Sequence, residues 1–129
     1  MIGLRSVINI VDKTGGTKGL CIKVLRNKSF ALMGDIFLLS IRSRSARIAR
    51  LLKWKLQRRF SVGRLQKALL IRSKVNFKRF PGLFIRFFDN SCALVNRRIV
   101  PLSNRIYGPV LKEFCMVWPS VGCVSIFVI

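Results

Sequence analysis

The sequence predicts an all-β fold, a small barrel or sandwich, on three observations. Apolar residues recur with a two-residue period along most of the chain. Turn sequences rich in Gly, Asp, Asn and Ser separate these runs at short intervals. Hydrophobic residues make up 51% of the 129, which is core material for one small domain over 1–129. Neither an internal repeat nor a linker divides it.

The elements follow in order. Residues 4–12 alternate as a strand, and Lys13-Thr14-Gly15-Gly16-Thr17 supplies a turn. Residues 19–26 return as its hairpin partner. Residues 35–45 begin as a buried strand and end as an exposed one, and 65–74 form another. Residues 83–96 read as a hairpin, with Leu83, Ile85 and Phe87 on one face and Asp89-Asn90-Ser91 at the turn. Helical signals are fewer. Pro109 suits a first helical position, so a short helix is expected from Gly108-Pro109 onward. In 44–60, Ile48, Leu52, Leu56 and Phe60 recur every four residues, yet alternation also fits, so helix and extended ribbon both stay open. Met116 to Ile129 is the longest apolar stretch. It falls short of the roughly 20 residues that span a bilayer and reads as a buried terminal strand. The opening residues enter strand-like sequence at once, with no signal or transit segment expected.

Charge narrows the function. Lys and Arg number 25 against 4 acids, a net +21. Asp12, Asp35, Asp89 and Glu113 cannot neutralise so many cations, so an external polyanion must, and nucleic acid is the usual one. A mean hydropathy of +0.39 excludes a disordered basic tail. The densest run is Arg42, Arg44, Arg47, Arg50, Lys53, Lys55, Arg58 and Arg59. Arginine forks onto phosphate and stacks on bases, and Trp54 and Phe60 add stacking surface. The competing readings are a solvated face, which eight cations without an acid would make self-repulsive, and a basic helix lying on anionic membrane. Lys78, Arg79, Arg97 and Arg98 flank the 83–96 hairpin, and Lys13 and Lys18 border the first turn. All six suit an RNA backbone or ordinary surface charge.

Catalysis finds no support. The chain has no His, so Cys92 lacks an imidazole base, and the acids are scattered. Asp12 to Thr17 resembles the phosphorylated loop of ion-pumping ATPases with an intruding Gly, and GGTKG does not match a phosphate-binding loop. Cys21, Cys92, Cys115 and Cys123 contain no paired metal-ligand spacing. Cys21 and Cys92 among apolar residues read as buried thiols used as small hydrophobes, disulfides stay open, and a reducing compartment fits best. No metal and no cofactor is expected.

The ordered pieces resemble one family, large-subunit ribosomal protein fourteen, universal to ribosomes. Residues 8–25, INIVDKTGGTKGLCIKVL, are similar to its opening strand, D-x-[ST]-G turn and C-I-x-V-L strand. Gly34-Asp35-Ile36 resembles its G-D-I step. Ala68-Leu69-Leu70-Ile71, Gly82, Phe87, Asn90 and Ala93-Leu94-Val95 follow its signature. Asn104-Arg105-Ile106-Tyr107-Gly108-Pro109-Val110, then Lys112-Glu113, is similar to its T-R-I-[FY]-G-P-V segment. Pro81 stands where the family prefers Asp, Asn or Ser. The 42–60 segment is longer and more Arg-rich than in bacterial members, and 114–129 replaces a charged ending with apolar sequence.

The resemblance implies a five-stranded β-barrel with a projecting basic ribbon or arm and a short C-terminal helical segment. It implies a structural place in the large subunit, bound to large-subunit ribosomal RNA. It further implies an intersubunit bridge to small-subunit RNA, with Asn104 and Arg105 near that face. Neighbours would be a second large-subunit protein, number nineteen in bacteria, and a ribosome-silencing factor. Ten Phe, four Cys and few acids point to a protein made inside a mitochondrion, with a plastid or bacterial cytoplasm as alternatives. Two rival functions stay open, a free RNA-binding barrel and a membrane-active basic domain.

Overall fold

The computed structural model describes residues 1–51, 60–80 and 82–129. Five strands close a barrel: β1 (Val7–Ile10), β2 (Gly16–Val24), β3 (Ile36–Arg44), β4 (Leu65–Arg72) and β7 (Ser91–Val95), in the order β1-β2-β3-β4-β7. Neighbours are antiparallel except β1 and β7. These run parallel, with Asn9 beside Ser91 and Ile10 beside Cys92. Between β3 and β4 stands α1 (Ala46–Leu51), and between β4 and β7 a small ribbon of β5 (Phe77–Arg79) and β6 (Leu83–Ile85). The chain ends with β8 (Ile106–Val110), α2 (Lys112–Val117), α3 (Pro119–Val124) and β9 (Ser125–Val128). The expected all-β, five-stranded barrel with short helical segments is what forms.

Two cores share two strands. Ile8, Ile10, Cys21, Phe37, Leu39, Ile41, Ala68, Leu70, Cys92 and Leu94 fill the barrel. Leu69, Ile71, Ala93 and Val95 point outward, into a second core with Ile106, Val110, Leu111, Phe114 and Val121. Burial on both faces explains why 68–71 and 92–95 are unbroken apolar runs while β1 alternates. Each fully buried Leu or Phe is worth about 1.5–3 kcal/mol over its exposed state.

Several expectations need correction. The 83–96 segment is not one hairpin. Leu83–Ile85 pairs backward with Phe77–Arg79, closed by Gly82 N–H donating to the Arg79 carbonyl at 2.8 Å. Every residue of β7 is buried, and such a strand needs a partner on each side, which β4 and β1 provide. Pro109 does not start a helix. It lies in β8, and the helix begins at Lys112. Gly108 has φ +85°, and a Cβ there would meet Arg72 Nη1 at 2.1 Å, so a glycine is what lets the guanidinium come this close. Pro119 opens α3 instead. The terminal strand β9 is exposed rather than buried. It forms the outer strand of a two-stranded parallel ladder with β8. Phe60, expected on an RNA-facing surface, is 3% exposed and packs inside the barrel core, so it cannot stack on a base. All four cysteines are free. Cys21 and Cys92 are buried, Cys115 is half-buried and Cys123 is exposed.

Candidate nucleic-acid interface

Strand direction sorts the molecule into two ends. The β1–β2 turn, the end of β3 with α1, the start of β4 and the end of β7 gather at one end, termed the arm end. The β2–β3 loop, the end of β4, the start of β7 and the β5–β6 ribbon gather at the other, the ribbon end.

The arm end is built around Asp12. Its Oδ1 accepts from the Thr14 N–H at 3.1 Å and from the Thr14 hydroxyl, a local turn that Asp favours. Its Oδ2 accepts from the Leu94 N–H at 2.8 Å, tying the turn to β7. Burial pushes this carboxyl above its ordinary pKa, and the three hydrogen bonds oppose that rise. Around this knot the chain brings cations together. Lys13 and Lys18 are exposed on the turn and on β2. The Ser45 N–H donates to the Gly15 carbonyl at 2.9 Å, and the Thr17 and Ser43 hydroxyls lie 2.6 Å apart, fastening the root of the arm to the turn. Arg42, Arg47 and Arg50 are exposed there, and Arg44 is half-buried. Nε and Nη2 of Arg44 find no acceptor among the described residues. The first segment of the arm is the helix α1, which settles the helix-or-ribbon question for Ala46–Leu51. Lys53, Trp54, Lys55, Arg58 and Arg59 lie outside the described residues.

Arg97 and Arg98 join this end on the loop after β7. The Asn96 side chain shapes that loop by accepting from Arg98 N–H at 2.8 Å and Val100 N–H at 3.0 Å. The Lys13 N–H donates to the Arg105 carbonyl at 3.3 Å, which places exposed Asn104 and Arg105 alongside. Lys78 and Arg79 fall at the ribbon end, so the two Lys/Arg pairs sit at opposite ends of the barrel rather than around one hairpin.

The acids decide which cations are free. At the ribbon end, Lys28 bonds Asp35 at 2.8 Å. Buried Arg72 grips Asp89 through Nε at 3.1 Å and Nη2 at 3.0 Å, and donates to the Tyr107 carbonyl at 3.0 Å. Arg79 grips Glu113 through Nε at 2.5 Å and Nη2 at 2.8 Å, and reaches the Ile129 carbonyl at 3.0 Å. That bidentate bond holds Glu113 below the usual carboxylate range. Burial alone would raise Asp89, but the Arg72 hydrogen bond and charge bring it below its ordinary value. The sequence offers no signal for these pairings, because 17 and 34 residues separate the last two pairs. At the arm end the one acid, Asp12, pairs with no cation. Among the described residues, every cation there lacks a carboxylate partner. Arg64, just before β4, belongs with them and escaped the sequence reading because it stands alone in the chain.

Nothing in this arrangement supports covalent chemistry. Burial, followed by the Asp12 charge, raises the Cys92 thiol well above its ordinary pKa, which keeps it protonated and inert. Among the described residues, no group of three or more Cys, Asp or Glu could hold a metal, and no helix is long and apolar enough to cross a membrane. A groove of about 460 Å³ beside Arg72, Arg86, Phe88 and Pro109 has the Asp89 carboxylate in its lining, already held by Arg72.

The described residues thus form a small closed barrel with a cationic end and no grouping of catalytic side chains. The family model for ribosomal protein L14p/L23e matches residues 1–129, and the chain belongs to that family, which is structural. It is 33% identical over 113 residues to the large ribosomal subunit protein uL14m of Schizosaccharomyces pombe, covering 88% of this chain and 86% of that protein.

Proposed function

We propose that this chain is a structural component of the large subunit of a mitochondrial ribosome, held to large-subunit ribosomal RNA by its arm end. One observation carries the reading: among the described residues no arm-end cation has a carboxylate partner, whereas three at the ribbon end, Lys28, Arg72 and Arg79, are held by acids. Family membership and the likeness to uL14m supply the particle and the compartment. Lys13, Lys18, Arg42, Arg44, Arg47, Arg50, Arg97 and Arg98 neutralise phosphates, together with Lys53, Lys55, Arg58 and Arg59. Counterion release then drives binding, with a log–log salt slope near −6 to −7 for about eight contacts. Arginine–phosphate contacts position the protein and read shape, with little base reading. Asn104 and Arg105 face the small-subunit RNA at an intersubunit bridge, beside the relative of bacterial large-subunit protein nineteen and the docking face of a silencing factor.

The test is assembly. Arg47→Ala, Arg50→Ala and Lys53→Ala combined should reduce incorporation into large subunits sedimented through high salt. Incorporation at the wild-type level would remove the arm from the binding surface. Migration of the unaltered chain at the top of the gradient, or with membrane regardless of ribonuclease, would defeat the ribosomal assignment itself.

A further inference from the structure

The β5–β6 ribbon has two unlike faces. Opposite residues of an antiparallel pair share a face, and the register sets Phe77 against Ile85, Lys78 against Phe84 and Arg79 against Leu83. Phe77 and Ile85 pack on the second core, and Arg79 holds Glu113 on that inner side, while Leu83 opposite it is 64% exposed at the ribbon's tip. Alternation then turns Lys78 and Phe84 outward, and Phe80 in the turn after β5 and Arg86 and Phe88 just past β6 are exposed as well. Phe80 is 95% exposed, Phe84 65% and Phe88 100%. Lys78 and Arg86 are exposed too, and neither has a carboxylate partner among the described residues.

We infer that this outer face is a stacking platform for unpaired bases of an RNA strand, with Lys78 and Arg86 on its phosphates. The inference rests on the RNA-binding reading above and adds a second contact, at the opposite end of the barrel and of a different kind. Exposed rings gain nothing from water, and a group of them marks an interaction surface. Phosphate contact alone would require cations and no rings. A protein groove would favour contiguous apolar surface, yet here a cation separates or opposes the rings: Arg86 lies between Phe84 and Phe88, and Lys78 faces Phe84. A lipid surface would favour rings gathered at the ribbon's tip, yet fully exposed Phe88 lies at its base. Rings alternating with cations along an extended backbone match the π-faces and phosphates of a single strand.

The test uses the full chain with a single-stranded oligoadenylate carrying a fluorescent adenine analogue, and a duplex RNA of equal length. The variant Phe84→Leu with Phe88→Leu keeps apolar surface but removes the rings. Both side chains are exposed, so the melting temperature should hold. Wild type should quench the analogue on binding. The leucine variant should lose the quenching and bind the single strand at least about 5-fold more weakly, with duplex affinity unchanged. Phe84→Tyr with Phe88→Tyr should restore both. Unaltered quenching and affinity in the leucine variant would overturn the platform. Wild type binding duplex but not single strand would overturn it while leaving the proposed function standing, and binding to neither RNA would defeat both. Binding to anionic phospholipid vesicles that the leucine variant retains, with oligoadenylate unquenched by wild type, would overturn it in favour of lipid.

Discussion

At the arm end, the exposed arginines and lysines among the described residues stand without a carboxylate partner, and the one acid nearby is buried and bonded to backbone and a hydroxyl. At the ribbon end, three cations of the same types are locked by Asp35, Asp89 and Glu113. One chemistry therefore does two jobs. Arg72 and Arg79 join distant parts of the chain, whereas Arg47 and Arg50 are exposed and have no carboxylate partner among the described residues. With only four acids, three of them hold Lys28, Arg72 and Arg79 at the ribbon end, and cations such as Lys78 and Arg86 there stay exposed like those of the arm end.

Breaking the ribbon end should show the largest effect. Asp89→Ala leaves the buried Arg72 guanidinium unpaired, and loss of one partner of such a pair costs about 3 kcal/mol. Urea melts of this variant should shift strongly, and a shift no larger than that of an arm-end variant would erase the distinction between the two ends.

Acid should act next, and mostly on the same end. Asp89 and Glu113 have folded pKa values below their unfolded ones. Their contribution is therefore present above the ordinary range of about 4 and is lost as pH falls through the folded values. Asp12 has the opposite sign, since burial raises its pKa and protonation relieves that cost. Melting temperature should thus fall with acidification, and Asp89→Asn should flatten the fall. An identical pH profile for that variant would take Asp89 out of the account.

The smallest stability effect belongs to the arm end. Arg50→Ala removes an exposed cation among like charges, so thermal melts should move by no more than about 0.5 kcal/mol, while binding to isolated ribosomal RNA weakens and its salt slope shrinks by about 1. A large loss of stability would mean that Arg50 is a structural residue like Arg72.

The barrel strands were legible because their side chains face a core on at least one side, so periodicity appears in the letters. Residues 35–45 became Ile36–Arg44, and the unbroken run at 68–71 already carried the mark of two-sided burial. The 83–96 hairpin was misread for a related reason. A short alternating stretch specifies which face is apolar, but not which neighbour it pairs with. Pro109 and Phe60 misled similarly: a helix-start preference yielded to strand pairing of Pro109 with Phe127, and a ring taken for stacking surface filled the barrel instead.

By itself the sequence determined the all-β class, the excess of positive charge, the absence of histidine and the motifs of its family, because each is a property of composition or local spacing. Only the tertiary structure decided which cations are free. An ion pair depends on where the closed barrel brings two side chains, and strands β1, β4 and β7, far apart in the chain, meet only when it closes. The same closure sent Arg97 and Arg98 to one end and Lys78 and Arg79 to the other.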